Sequence, residues 1–250
     1  MADADNINSF RYSRQISLPA MGAEGQRRLA DARVLVVGAG GLGNPAGLYL
    51  ASAGVGHIVV SDFDTVDESN LPRQILFRDA DLTRPKAKIL ASRLREVNPD
   101  LTAVGISRRL DKDALLAEIT QADAVLDCTD NFQSRWLLNE CCHTRQTPLV
   151  SGAAIRMEGQ LTVFRFDLNS SPCYRCLYTE ADENLLDCAG QGILAPVAGT
   201  VGAMMATETI KLLTGAGETL DARLWIYDGL AGNSKIIAIN AAADCPVCAG

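Results

Sequence analysis

Short apolar runs and longer helix-periodic segments take turns along the first 150 residues. Arg33–Val37 (RVLVV) is apolar almost throughout, the pattern of a strand buried on both faces of a parallel sheet. A glycine-rich segment, Gly38-Ala-Gly-Gly-Leu-Gly43, follows directly. Asn44–Ala53 then has helix composition, with Asn44 placed as a cap and Pro45 in the first turn. His57–Ser61 (HIVVS) predicts the next strand and runs into Asp62. Two more strand–helix units follow, with helices over Thr83–Val97, Lys112–Ile119 and Asn131–Arg145 and strands at Thr102–Ile106 and Ala124–Asp127. Residues 1–30 read as a polar lead-in containing a helix.

The pattern changes after Ser151. Gln160–Phe166, Arg223–Tyr227 and Lys235–Ile239 are β-rich, residues 167–192 are irregular, and Val197–Leu213 predicts one long buried helix. The expected fold class is α/β: a Rossmann-like mixed sheet, parallel in its N-terminal half and antiparallel in its C-terminal half. No repeat or low-complexity linker divides the chain. Residues 1–250 are therefore expected to form a single domain, with 1–150 as its nucleotide-binding half and 151–250 as its antiparallel, cysteine-bearing half.

Composition narrows the function classes. The chain has 23 basic and 30 acidic residues, a net charge of −7, which argues against a nucleic-acid binder. The first 15 residues are polar and do not resemble a signal peptide, and no apolar stretch reaches membrane-spanning length. Eight cysteines without a secretion signal point to the reducing cytoplasm, where metal ligation or thiol chemistry is expected before disulfides.

Gly38, Gly40 and Gly43 are spaced G-x-G-x-x-G between a predicted strand and a predicted helix, and Asp62 ends the next strand, 24 positions after Gly38. Glycine allows the tight turn and lets backbone N–H groups approach phosphate at a helix N-terminus; the acid suits ribose hydroxyls. This pattern specifies a nucleotide but not which one. The residues around it discriminate. Asp64, Asn70, Arg73 and Gln74 occupy the loop after Asp62, Lys86 lies in the following helix, and Asp130 follows the strand Ala124–Asp127. Nicotinamide chemistry needs a flat pocket and a proton donor, with little use for two cations and extra carboxylates. Nucleotidyl transfer uses them: Arg and Lys neutralise phosphate, and a carboxylate holds Mg²⁺. A nicotinamide-dependent oxidoreductase remains the alternative from another class, and a silent scaffold for a partner protein is a third.

Two Cys-x-x-Cys pairs, Cys173/Cys176 and Cys245/Cys248, each with a proline beside it, have the spacing of a tetrahedral Zn²⁺ site. Their distance in sequence from the glycine loop marks the metal as structural, a tie between residues 173–176 and the end of the chain. Cys128, Cys141 and Cys142 are read as packed thiols and His143 as a core or surface residue; His57 has no identifiable partner.

Together, Arg11-Tyr-Ser-Arg-Gln15, Gly38–Gly43, Asp62-Phe-Asp64, Asn70-Leu-Pro-Arg-Gln74, Lys86, Asp127-Cys-Thr-Asp-Asn131, Ser151–Gln160, Pro172–Leu177 and the cysteine pairs resemble the ubiquitin-activating-enzyme superfamily. Within it the chain is similar to the bacterial MoeB/ThiF/HesA branch over nearly its whole length. That resemblance implies an ATP-dependent adenylyltransferase acting on the C-terminal Gly-Gly carboxylate of a ubiquitin-like sulfur-carrier protein, with release of pyrophosphate. It implies Arg73 and Lys86 on the phosphates, Asn70 beside them, Asp62 on ribose and Asp130 on Mg²⁺. Gly38, Gly40, Gly41, Gly43, Asp64 and Gln74 complete the expected nucleotide site. It also implies a homodimer in which Arg14 reaches into the partner subunit's site. Cys188 lies where thiamine-pathway members carry a cysteine able to link to the carrier; the adjacent Asp187 disfavours a thiolate, and a spectator thiol is the other reading. The segment Ser151–Gln160 favours the molybdopterin-synthase carrier of molybdenum-cofactor biosynthesis, with the thiamine-pathway carrier as the alternative. With no rhodanese-like segment in the sequence, sulfur is expected from a separate donor protein.

Overall fold

The computed structural model describes residues 10–168, 171–178 and 192–248. A short helix α1 (Ser13–Ile16) and helix α2 (Gly22–Asp31) lead into strand β1 (Arg33–Val37). There follow α3 (Gly43–Ala53), β2 (His57–Ser61), α4 (Lys86–Val97), β3 (Thr102–Ile106), α5 (Lys112–Ile119), β4 (Ala124–Asp127) and α6 (Phe132–Arg145). Strand β5 (Leu149–Ile155) turns back as β6 (Glu158–Phe164), then come α7 (Tyr174–Leu177), the long α8 (Ala195–Thr214), β7 (Arg223–Asp228) and β8 (Asn233–Ala238).

All eight strands form one sheet in the order β3-β2-β1-β4-β5-β6-β7-β8. Neighbours from β3 to β5 run parallel, and those from β5 to β8 run antiparallel. Strands β1, β2 and β4 are buried on both faces, which is why they read as apolar runs; β3, at the sheet edge, is exposed at Thr102 and Val104. One face is covered by α2, α3, α4 and α8, packed around Leu50, Ile58, Leu90, Leu94 and Met205. The other is covered by α5, α6 and the cysteine-bearing segments, packed around Leu35, Ile119, Leu138 and Phe164. Among the described residues no helix is long and apolar enough to cross a membrane.

Three sequence expectations shift. The parallel-to-antiparallel change lies at the β5–β6 hairpin, after Ile155, not at Ser151. Strand β5 escaped the hydrophobic pattern because its centre is small: a Cβ on Gly152 would sit 2.4 Å from Met205 Sδ, so α8 lies too close for a larger side chain. Helix α4 starts at Lys86, not Thr83, because Pro85 holds the extended cap position and Thr83 has a left-handed φ of 65°. Asn44 is not a cap; it lies inside α3 and is fully buried.

Candidate functional site

The carboxyl ends of β1, β2 and β4 and the β5–β6 hairpin surround a cavity of about 930 Å³. It opens at the carboxyl ends of the paired strands β1 and β4, where the strand order reverses direction, the switch point at which α/β sheets bind ligands. Gly38, Gly40 and Gly41 line it. Gly38 has φ +99°, and a Cβ there would meet the Cys128 carbonyl oxygen at 2.6 Å. Gly43 acts through packing instead of lining the cavity: its Cβ would lie 2.0 Å from the Gly38 carbonyl oxygen. The buried Asn44 amide donates to the carbonyls of Ala39 (2.8 Å) and Gly40 (3.1 Å) and accepts from the Leu76 N–H (2.9 Å). It thereby ties the glycine loop to the segment bearing Arg73 and Gln74.

Asp62 is half-buried at the end of β2. Its carboxylate accepts the Ala39 N–H at 2.7 Å and the Asp64 N–H at 2.8 Å, so its orientation is set by backbone. Burial pushes its pKa above the ordinary aspartate value, opposed by those two hydrogen bonds and by Lys86. Lys86 is nearly buried, and its Nζ lies 3.2 Å from an Asp64 carboxylate oxygen. In the loop between them, Asp67 caps the 3₁₀ turn Glu68–Asn70 through the Ser69 N–H. The Ser69 carbonyl accepts from Arg73 Nη1 at 2.9 Å, and the stem of Arg73 packs beside Gly41. Gln74 is buried, and its Oε1 has no hydrogen-bond partner among the described residues. The cavity therefore gathers Gly38, Gly40, Gly41, Asp62, Asp64, Asn70, Arg73, Gln74, Lys86 and Asp130.

Asp130 stands exposed at the rim, within 3.3 Å of the Asn131 amide, on a turn whose foundations were not singled out in the sequence. Buried Asp127 accepts from the Thr129 N–H (3.0 Å) and hydroxyl (2.7 Å) and from the Ser151 hydroxyl (3.2 Å). Arg135, also buried, donates to the carbonyls of Thr129 (2.5 Å) and Gly152 (3.2 Å). Asn131 caps α6, so Arg135 one turn on returns over its own cap; that spacing was the available signal. The far wall contains Ile155, Arg156, Gln160 and Tyr178, the last two joined through the Tyr178 hydroxyl at 2.6 Å. Phe63 and Arg109 also line the cavity and were not anticipated. Arg14 is exposed on α1 and does not line the cavity of its own chain.

The four cysteines come together from both ends of the second half. Their sulfurs all lie within 4.8 Å of one another. Cys173–Cys245 is 3.5 Å, Cys173–Cys176 is 3.9 Å and Cys176–Cys248 is 3.3 Å. A tetrahedron with Zn–S bonds of about 2.3 Å has S···S edges of roughly 3.8 Å, so the set fits zinc. These distances are too long for disulfides, and the seven described cysteines are all unbridged. Burial pushes the Cys173 thiol up to about 11. Burial also opposes ionisation of Cys245, yet the N–H groups of Cys248 and Val247 and the neighbouring thiols bring it down to about 7. Cys176 Sγ accepts the Ala242 N–H at 3.4 Å. None of the four cysteines lines the cavity, although Tyr178, two residues beyond Cys176, does.

The remaining cysteines are placed as packed thiols. Burial raises Cys128 and Cys142 well above the ordinary thiol value and Cys141 to about 11, which leaves them unreactive. His57 is exposed, and the His143 ring meets Phe166 edge-on at 5.4 Å. Cys188 lies outside the described residues.

A Rossmann-like sheet with its glycine loop, an oriented aspartate just after β2 and a cavity lined by both cations and carboxylates is the arrangement expected of a nucleotide-binding α/β protein of the phosphate-handling kind. The chain belongs to the ThiF family, whose sequence profile matches residues 12–247. It is 45% identical over 248 residues to the molybdopterin-synthase adenylyltransferase of Salmonella typhimurium, covering 99% of both chains. It is 43% identical over 241 residues to the sulfur carrier protein ThiS adenylyltransferase of Escherichia coli, covering 96% of this chain and 95% of that one. The crystal structure of E. coli MccB with ATP superimposes with a TM-score of 0.83 at 23% identity, covering 97% of this chain and 75% of that chain, which supports the shared fold.

Proposed function

We propose that the protein adenylates the C-terminal Gly-Gly carboxylate of a ubiquitin-like sulfur carrier with ATP, releasing pyrophosphate. Membership of the ThiF family and two adenylyltransferase relatives matched over nearly their full length place it among adenylyltransferases. The observation that carries the mechanism is the gathering of Asp62, Arg73, Lys86 and Asp130 around one glycine loop.

In this reading, backbone N–H groups at Gly40 and Gly41 and the side chain of Asn70 hold phosphate oxygens, and Asp62 accepts the ribose hydroxyls. A terminal carboxylate is ionised near neutral pH and needs no general base. Its oxygen attacks the α-phosphorus, an acyl–phosphate bond forms, and the bond to the β-phosphate oxygen breaks with its electron pair leaving on pyrophosphate. Arg73 and Lys86 stabilise the charge that develops there. Asp130, exposed at the rim, would hold Mg²⁺, which would supply further positive charge to the phosphates. Cys173, Cys176, Cys245 and Cys248 hold a structural Zn²⁺. The continuous sheet, with strands from Arg33 to Ala238, supports reading the chain as one domain, located in the cytoplasm, where free thiols persist. Arg14, exposed and away from its own cavity, is assigned to the site of a second subunit in a homodimer.

The molybdopterin-synthase carrier is the preferred substrate, on the full-length match to the Salmonella relative; the thiamine-pathway carrier is the second reading, on the comparable match to the E. coli relative. A separate protein then supplies sulfur. The test is to incubate the protein with ATP, Mg²⁺ and each carrier and to detect acyl-adenylate by mass spectrometry. An adenylate on neither carrier, with tighter binding of NAD than of ATP, would overturn the reading.

A further inference from the structure

The nucleotide reading leaves Arg109 without a task. It lies three residues beyond the end of β3, and β3 is the strand next out from β2, which carries Asp62. Its guanidinium carbon sits 4.1 Å over the centroid of the Phe63 ring. Both residues line the cavity, and Phe63 is 51% exposed although it is fully apolar. Among the described residues Arg109 makes no ion pair and no hydrogen bond, so nothing but the ring positions it. Leu110 and Leu115 add apolar wall on the same side.

The direction of a nucleotide across the sheet follows from the site already described. Phosphates at Gly40 and Gly41 and ribose at Asp62 move outward from β1 to β2, and the base continues toward β3. The cations near the phosphates are otherwise held: Arg73 is fixed to the Ser69 carbonyl and Lys86 to Asp64. Arg109 is held differently, with its guanidinium carbon over an aromatic ring. A guanidinium is planar and weakly hydrated, and a purine stacks on its face as readily as on an aromatic one. A guanidinium parallel to the Phe63 ring would offer its opposite face to a base.

We infer that the Arg109 guanidinium, laid on Phe63, is the stacking surface for the base of the bound nucleotide. The inference rests on the nucleotide reading of the same cavity. Arg109 binds the base, and Phe63 is a positioning residue that keeps the guanidinium flat. Phe63, Arg109 and the base, in one stack, would close the outer end of the cavity.

The test separates a stacking plane from a phosphate cation. ATP affinity is measured for the intact protein, Arg109→Ala, Arg109→Lys and Phe63→Leu, with tripolyphosphate, which has no base, as the competing probe. Thermal melting checks that each variant is folded. Both Arg109 variants should lose about tenfold in ATP affinity, equivalent to about 1.4 kcal/mol, with tripolyphosphate binding unchanged. Phe63→Leu should lose a smaller factor, again for ATP alone. Retention of ATP affinity in Arg109→Ala would overturn the inference, as would full rescue by Lys together with a parallel loss of tripolyphosphate binding. If the intact protein bound tripolyphosphate but not ATP, the nucleotide reading itself would fall, and this inference with it.

Discussion

Lys86 and Asp64 are joined twice. The Lys86 N–H donates to the Asp64 carbonyl at 2.9 Å, and the Lys86 ammonium lies 3.2 Å from the Asp64 carboxylate. The backbone bond starts α4 at the cavity, while the side-chain pair aims a nearly buried cation into it. Asp64 is itself half exposed and can release its partner to a more highly charged phosphate.

Lys86→Met keeps the length of the stem and removes the charge. Pyrophosphate exchange should fall about a hundredfold or more, as expected for loss of one preorganised charge-stabilising group, with the melting temperature nearly unchanged. An exchange rate within a few-fold of the unsubstituted protein would show that Lys86 does not act on the phosphates.

The glycines should separate by role. Gly43→Ala places a methyl 2.0 Å from the Gly38 carbonyl oxygen and should destabilise the fold by about 3 kcal/mol in denaturant titration. At Gly40 the nearest atom to an added Cβ is Gln74 Nε2 at 3.8 Å, so Gly40→Ala should fold normally and weaken ATP binding instead. Equal stability loss in the two variants would contradict this division.

Acidification should weaken ATP binding through Asp62. Only the ionised carboxylate accepts both ribose hydroxyls, and burial raises its pKa, so it takes up a proton at higher pH than an exposed aspartate. Affinity should be constant above that raised value and fall as the pH drops through it. In Asp62→Asn the affinity should be low throughout and the acid limb flattened. An unchanged acid limb would assign the titration to another group.

Stripping the cysteine cluster with a chelator should lower Tm by about 5 °C or more, the equivalent of about 2 kcal/mol in a chain of this size. Hydrogen exchange should rise first in residues 171–178 and 242–248, while the parallel strands stay protected. Loss of ATP binding with no change in Tm would mean that the cluster serves the cavity directly and is not a clasp.

Arg14 is tested by mixing. Arg14→Ala and Lys86→Met should each be inactive alone. When the two are co-assembled, half the dimers are mixed and each holds one intact site, which should restore about a quarter of the wild-type exchange rate. No recovery would place Arg14 outside a shared site.

Much of this protein was legible before folding was considered. Strands buried on both faces announce themselves as apolar runs, so β1, β2 and β4 were found within their limits, as was the half-exposed edge strand β3, and Gly38–Gly43 with Asp62 marked a turn that the structure brings to one cavity. The two Cys-x-x-Cys pairs likewise marked, through spacing alone, four thiols that the fold brings within 4.8 Å of one another. What sequence could not convey depends on atoms brought together from distant segments. Strand β5 is small at its centre because Met205 of α8 occupies the space beside Gly152, a contact 53 positions apart in the chain. Asn44 looked like a cap and is a buried bolt between Gly40 and Leu76, since burial obliges an amide to satisfy every polar atom it can. Asp127 and Arg135 support the Asp130 turn from below, and Phe63 meets Arg109 only because β2 and β3 are neighbours. Local propensity and periodicity determined which elements form; long-range packing and the satisfaction of buried polar groups decided which side chains share a site.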